Sequence, residues 1–141
     1  SVAEVIVDTC VWIDLSKGAL DIDAIYDVAG SQLVHVSAIS LGELEFGAQL
    51  PNDARERAQR TAFLRAVERM SVLAVTRETA RSFGLLATVM KAAGRSPRPR
   101  YNDLWIAAQA HEHHLPLLTS NPDDFRALEM IEIIDAPKTT H

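Results

Sequence analysis

Val5-Ile6-Val7-Asp8-Thr9-Cys10-Val11-Trp12-Ile13-Asp14-Leu15 decides how this chain is read. Three β-branched apolar residues run into a carboxylate, after which the pattern turns helical. Val5 to Val7 is too apolar for an exposed surface and suits a strand buried on both faces. Asp8 then stands at the carboxyl end of the strand, the edge on which open parallel α/β sheets bind ligands.

Outward from that stretch, short apolar runs alternate with helical patterns. The first strand is Glu4–Val7, followed by a short helix through Trp12 and Leu15 that breaks at Lys17-Gly18. A helix over Asp21–Ala29 stops at Gly30, and Leu33–Val36 is a second strand. Ser40–Gln49 reads as a helix ended by Pro51-Asn52. Asp53 caps a long helix with Ala58, Ala62, Ala66 and Met70 on one face, widened by Phe63 and Val67. A strand over Val72–Val75 leads to a helix over Thr76–Ala93, with Ala80, Phe83, Ala87 and Met90 at helical spacing and Gly94 as its stop. Arg95-Ser96-Pro97-Arg98-Pro99-Arg100 is a stiff basic loop, since its two prolines exclude a helix. Asn102–His113 is apolar almost all round, as a buried helix is. Leu117–Thr119 is a fourth strand, Pro122–Leu128 a short helix and Met130–Ile134 an edge strand. Such alternation means a mostly parallel sheet of about five strands covered on both faces. Residues 1–136 are expected to form a single domain, with 137–141 a frayed tail.

Composition bounds the function. With 141 residues, 48% of them hydrophobic, the chain has enough apolar material for a core. No run reaches the ~18–20 apolar residues of a membrane span and no signal segment opens the sequence. A single cysteine excludes an internal disulfide framework. These features lead to the expectation of a cytoplasmic protein without a membrane partner. Net charge is -5, against a general nucleic-acid coat, but its distribution is uneven. Residues 79–102 contain no acid and carry Arg81, Lys91, Arg95, Arg98 and Arg100. Residues 1–30 carry Glu4, Asp8, Asp14, Asp21, Asp23 and Asp27 against Lys17.

The acids fall at the strand ends. Asp8 follows the first strand, Glu43 lies in the first turn of the helix after the second, Asp103 begins the buried helix, and Asn121 with Asp124 follows the fourth strand. On a parallel sheet these junctions share one edge. Carboxylates held close together raise one another's pKa unless a cation neutralises them. Oxygen-only ligands select a hard divalent ion, Mg²⁺ or Mn²⁺, over zinc, and such an ion handles phosphates. Each acid also has a purely structural reading. Ser40-Leu41-Gly42-Glu43 is a capping box, Asp103 favours a helix dipole, Asn121-Pro122 is a cap with proline following, and Asp8 is itself a possible cap. The coincidence of all four at one sheet edge favours chemistry.

Val7-Asp8-Thr9-Cys10-Val11-Trp12-Ile13, Ile39-Ser40-Leu41-Gly42-Glu43-Leu44-Glu45-Phe46-Gly47, Asn102-Asp103-Leu104-Trp105-Ile106-Ala107-Ala108 and Leu118-Thr119-Ser120-Asn121-Pro122-Asp123-Asp124-Phe125 together resemble PIN-domain ribonucleases, in particular the VapC toxins of toxin–antitoxin pairs. The resemblance spans essentially the whole chain. It implies a three-layer α/β/α sandwich and metal-dependent cleavage of single-stranded or loop RNA. It also implies a homodimer, and a VapB-like antitoxin bound in a heterotetramer or larger assembly. Asp8, Glu43 and Asp103 match the metal-binding acids. Where many relatives carry a further aspartate this chain has Asn121, for which Asp124 compensates, so a second metal depends on the RNA phosphate. Thr9 and Ser120 are candidates to orient a carboxylate or water.

In the mechanism this implies, Mg²⁺ held by Asp8, Glu43 and Asp103 activates water for in-line attack on phosphorus. Arg98 and Arg100 are candidate phosphate contacts, or alternatively part of a solvated loop. His111 is expected to be partly buried, and His113 and His114 to suit a helix C-terminus. Cys10 is a small half-hydrophobic side chain with no paired base. Trp12, Phe46 and Leu50 line either a groove for an antitoxin helix or the core, with Trp12 assigned to the core. Two other functions stay open at this point: a PIN-like module that has lost catalysis, kept alive by Asn121, and another phosphoryl-handling enzyme. The latter lacks a lysine after the fourth strand, a companion aspartate beside Asp8 and a glycine-rich phosphate loop.

Overall fold

Val5–Val7 forms the centre of the sheet. The computed structural model describes residues 4–96 and 101–139. Among the described residues, β1 (Val5–Val7), β2 (Val34–Ser37), β3 (Ser71–Leu73), β4 (Leu117–Thr119) and β5 (Ile133–Asp135) make a sheet of order β3-β2-β1-β4-β5. Every pairing is parallel, with Ile6 opposite His35 on one side and Leu117 on the other.

Alternation along β1 and β4 divides the core into two layers. Val5, Val7, Val34, Val36 and Leu118 pack against one set of helices: α1 (Thr9–Ser16), α2 (Ile22–Ala29), α3 (Ala38–Gln49) and α4 (Ala54–Val67). Ile6 and Leu117 face the other way, onto α5 (Arg77–Ala92) and α6 (Tyr101–His113). Each fully buried side chain of this kind gains roughly 1.5–3 kcal/mol on leaving water. The result is the expected three-layer α/β/α sandwich.

The helices start and stop for local reasons. Asp21 and Asp53 cap α2 and α4 by accepting from backbone N–H groups two residues on. Gly30 ends α2 at φ 67°, a left-handed conformation that favours glycine. Trp12 is 1% exposed, and its indole N–H donates to the Val7 carbonyl at 3.0 Å, locking α1 onto the end of β1.

Several element boundaries and faces differ from the sequence expectation. The Val72–Val75 strand shifts to Ser71–Leu73 because Ser71 pairs with His35 and Thr76 already caps the next helix. The edge strand begins at Ile133 rather than Met130, since the Ile131 N–H turns back to the Leu128 carbonyl. Pro122–Leu128 is a 3-10 helix over Pro122–Phe125. On α4, Ala58, Ala62 and Ala66 face solvent; Val67 is buried as expected, Phe63 and Met70 are half-buried, and Leu64 joins the core. On α5 the buried face is Thr79, Ser82, Leu86 and Met90, with Phe83 and Ala87 half-buried and Ala80 exposed. Thr79 and Ser82 tolerate burial because Glu112 of α6 accepts the Thr79 hydroxyl at 2.5 Å and His111 pairs with the Ser82 hydroxyl at 2.8 Å.

Chain order runs from β1 outward through β2 to β3, then returns to place β4 on the other side of β1. The direction of winding therefore reverses between β1 and β4. A crevice opens at such a point, beyond the carboxyl ends of the strands. Asp8 leaves β1 there, and Thr119 ends β4 beside it.

Candidate active site

Asp8 sits where β1 becomes α1, and at 3% exposure it is nearly sealed from water. Its backbone is extended (φ -70°, ψ 153°), and it serves as the N-cap of α1. The carboxylate is held at three points. Oδ1 accepts the Thr9 N–H at 2.8 Å, while Oδ2 accepts the Thr119 hydroxyl at 2.8 Å and the Cys10 thiol at 3.4 Å. The capping and site readings of Asp8 thus describe one side chain, because its second oxygen is left for β4.

The remaining hydroxyls form a directed chain. Thr9 donates to Glu43 Oε1 at 2.8 Å, so its oxygen is left to accept from Ser40 at 2.7 Å. Ser40 is buried within α3 rather than at its start, and the N-cap is Ser37, which accepts from the Ile39 N–H. Glu43 accordingly lies in the second turn of α3, not the first, and the Ser40–Glu43 capping box is absent. The relation between these residues runs through Thr9, across 34 positions of sequence.

The β4 side also differs in detail. Ser120 donates to the Cys10 sulfur at 2.9 Å, and it is Thr119 that touches the carboxylate. Thr119 was not singled out from the sequence. The signal was available in the alternation of strand residues: Leu118 packs with one layer, so Thr119 cannot point the same way. Asn121 provides no side-chain cap, and its backbone N–H donates to the Thr119 hydroxyl at 3.1 Å.

Burial pushes the Asp8 carboxyl above its ordinary range. The Thr119 hydroxyl, the Cys10 thiol and the Thr9 N–H pull it back down without cancelling the rise, and the charge of Asp124 pushes it further up. Burial likewise raises the Cys10 thiol, and the neighbouring Asp8 charge adds to that rise. A thiol held protonated beside a carboxylate is a poor nucleophile.

Asp103 occupies the first turn of α6 and is half-buried, as is Asp124 in the 3-10 helix after β4. Asn102, just before Asp103, borders the same cleft as Glu43. Arg98 and Arg100 lie outside the described residues. His111 is half-buried against Ser82, and His113 meets Glu112 at 3.5 Å. Both stand near the far end of α6, roughly 12 and 15 Å along the axis from Asp103 by helical rise. Phe46 and Leu50 belong to neither core layer, being 69% and 61% exposed.

Among the described residues, no three His, Cys, Asp or Glu side chains close into a ready-made metal cage. The donor chemistry nevertheless fits a hard cation. Asp8 is a dehydrated carboxylate with a second acid of the same sign acting on it, and Glu43 is tethered nearby through Thr9. Mg²⁺ keeps much of its water and takes one or two carboxylates plus substrate phosphate oxygens, so it does not need a closed protein cage.

Comparison with known proteins places the chain among relatives of the same fold. Residues 5–129 match the family model described as PIN domain. The chain is 38% identical over 133 residues to Ribonuclease VapC5 of Mycobacterium tuberculosis (strain ATCC 25618 / H37Rv), covering 92% of this chain and 93% of that one. It is 29% identical over 134 residues to Ribonuclease VapC4 of the same strain, covering 95% of this chain and 98% of that one. The crystal structure of VapBC-5 from Mycobacterium tuberculosis, a member of the VapBC family of toxin-antitoxin systems, superposes with a TM-score of 0.77 at 35% identity. That match covers 95% of this chain and 99% of the other.

Proposed function

This chain belongs to the PIN-domain family, and on that premise we propose that it is a metal-dependent endoribonuclease, the toxin of a VapBC-type toxin–antitoxin pair. The observation that carries the reading is Asp8, a buried carboxylate raised above its ordinary range at the point where the sheet reverses its winding. Dehydrating a carboxylate beside another acid costs stability, and a bound cation offsets that cost.

Mg²⁺ is the expected ion, with Mn²⁺ able to substitute. Asp8, Glu43 and Asp103 would hold it, with Asp124 and the Asn121 amide on the β4 side. When bound, the ion supplies the charge that activates water and offsets the negative charge growing on the scissile phosphate. The chain's own groups do the positioning. Thr119 and the Thr9 N–H fix both oxygens of Asp8. The Thr9 hydroxyl, supported by Ser40, fixes Glu43. Arg98 and Arg100 are assigned to phosphate contacts, which draw RNA toward an otherwise acidic pocket. The expected assembly is a homodimer inhibited by a VapB-like antitoxin, acting in the cytoplasm.

One observation favours a second reading. An uncharged amide at Asn121, where an acid would help hold a second ion, suits a PIN-like interaction module without catalysis. Induction of the protein in growing cells separates the two. The nuclease halts protein synthesis, the Asp8→Asn variant does not, and co-expression of the adjacent gene's product restores growth. Growth arrest that persists unchanged in Asp8→Asn would overturn the nuclease reading in favour of the binding module.

A further inference from the structure

α5 carries a charged surface on the side away from the sheet. Its inward side holds Thr79, Ser82, Leu86 and Met90, so helical geometry puts Arg77, Arg81, Gly84, Thr88 and Lys91 outward. All five are exposed. Glu78, the one acid of this helix, lies off that stripe, about 100° round from Arg77. Among the described residues no ion pair engages Arg77, Arg81 or Lys91. On α4, by contrast, Arg60 is paired with Glu56, and Arg65 with Glu45 and Glu68. An unneutralised basic face is therefore particular to α5, in a chain whose net charge is -5. The stripe leads to the candidate active site. Gly94 turns the chain at φ 79°, and Arg95 behind it donates to the Asp123 carbonyl at 3.2 Å, beside Asp124. From Lys91 back to Arg77 the stripe runs about 21 Å by helical rise.

We propose that the outward face of α5 is a backbone track, holding the phosphates of an RNA strand that runs on from the cut past Lys91 to Arg81 and Arg77. The proposal rests on the ribonuclease reading and specifies its substrate as a long RNA. At roughly 3.4 Å per stacked nucleotide, the strand continues about four to six nucleotides beyond Lys91. Phosphates satisfy unpaired bases without a matched shape, and their binding is driven by release of counterions. A protein interface instead has a largely apolar centre, and between these bases stand only Gly84 and Thr88. A second copy meeting this face about a two-fold axis would set like charges against each other. The stripe's continuity with Arg95 and the Asp124 segment gives a polyanion held at the candidate site a path along it.

The test begins by mapping wild-type cuts in total RNA. Two single-stranded RNAs around one cut are then made resistant at the scissile linkage, one of about four nucleotides and one extended by about ten on each side, lengths set by the span of the stripe. Affinity is measured from about 50 to 200 mM salt, the range over which phosphate contacts show. The proteins are wild type, Arg77→Gln/Arg81→Gln, the charge-keeping Arg77→Lys/Arg81→Lys, and Arg55→Gln/Arg69→Gln, which removes the same charge from the α4 layer. All these positions are exposed, and the new side chains suit a helix. Each phosphate contact contributes about 0.7 to the log–log salt slope of a single strand. Across that range wild type should therefore lose about sevenfold more affinity for the long RNA than Arg77→Gln/Arg81→Gln does. The lysine pair and the α4 pair should keep the wild-type slope, and the short RNA should give one slope for all four proteins. An unchanged slope in Arg77→Gln/Arg81→Gln, or an equal change in the α4 pair, would overturn the track. So would weakened antitoxin binding with the RNA slope intact, which would assign the face to a protein partner. A wild type that cuts no RNA at all would instead remove the ribonuclease reading on which the track depends.

Discussion

The Thr119 hydroxyl donates to Oδ2 of Asp8 at 2.8 Å, joining residues 111 positions apart across the point where the sheet reverses direction. That bond is one of three that hold the Asp8 carboxylate down against burial and the charge of Asp124. A hydrogen bond to a charged group contributes about 1.5–3 kcal/mol. Thr119→Val should therefore lower metal-dependent cleavage about tenfold or more and move the acidic limb of the rate profile to higher pH. Thr119→Ser, which keeps the hydroxyl, should restore both. Rates measured from pH 5 to 8 on all three proteins check this, and a valine variant with an unshifted profile would detach Thr119 from Asp8.

In the metal-free protein the contribution of Asp8 to stability should fall as pH rises through the acidic range. The unfolded Asp8 carboxyl titrates near 3.8 and the folded one higher. Between those values the folded state holds more proton, so stability falls with rising pH and stays reduced above the window. Asp8→Asn removes the titrating group. In EDTA its melting temperature should exceed that of wild type by a few degrees at neutral pH, with the difference disappearing near pH 3. Thermal scans of both proteins across pH show whether the two curves converge on the acid side.

A divalent ion should reverse that loss. Ligand at a hundredfold excess over its Kd stabilises by about 2.7 kcal/mol. Saturating Mg²⁺ should thus raise the wild-type melting temperature at pH 7, do so less as protons compete at lower pH, and leave Asp8→Asn nearly unmoved. Equal shifts in the two proteins would place the ion elsewhere.

Cys10 touches Asp8 and Ser120, yet carboxylate chemistry does not require it. Its thiol is raised by burial and by Asp8, so alkylating reagents should react slowly at neutral pH. Cys10→Ala should retain cleavage within about tenfold, since a thiol donor at 3.4 Å is a weak restraint. A loss of several orders of magnitude would point to thiol chemistry instead.

Trp12 ties the start of α1 to the end of β1. Trp12→Phe removes the bond to the Val7 carbonyl and should cost about 0.5–1.5 kcal/mol, while Trp12→Ala adds a cavity and should cost about 3–5 kcal/mol. Denaturant titration of the two variants measures the difference.

Sequence carried the architecture because its signals were local. β-branched runs, aspartate caps and a glycine stop specify their own elements, and the all-apolar Val5–Val7 run already implied burial on both faces. Signals set by partners were not legible. Alanines at helical spacing on α4 suggested a buried face, yet they bury little, and Leu64 took the core beside the expected Val67. Thr79 and Ser82 lay outside the apolar spacing of α5, and their burial depends on Glu112 and His111 of α6. Ser40 is the cap by sequence pattern, yet Ser37 caps α3 and Ser40 turns inward to Thr9. Thr119 and Ser120 were neighbours of similar chemistry, separated by the pleat that turned one toward Asp8 and the other toward Cys10.

Incubation of total RNA with the purified protein and Mg²⁺, beside EDTA and Asp8→Asn controls, tests the central claim most directly. Discrete fragments that vanish in both controls are the predicted result. Intact RNA with wild type, in antitoxin-free protein shown to bind the ion, or equal cleavage by Asp8→Asn, would contradict it.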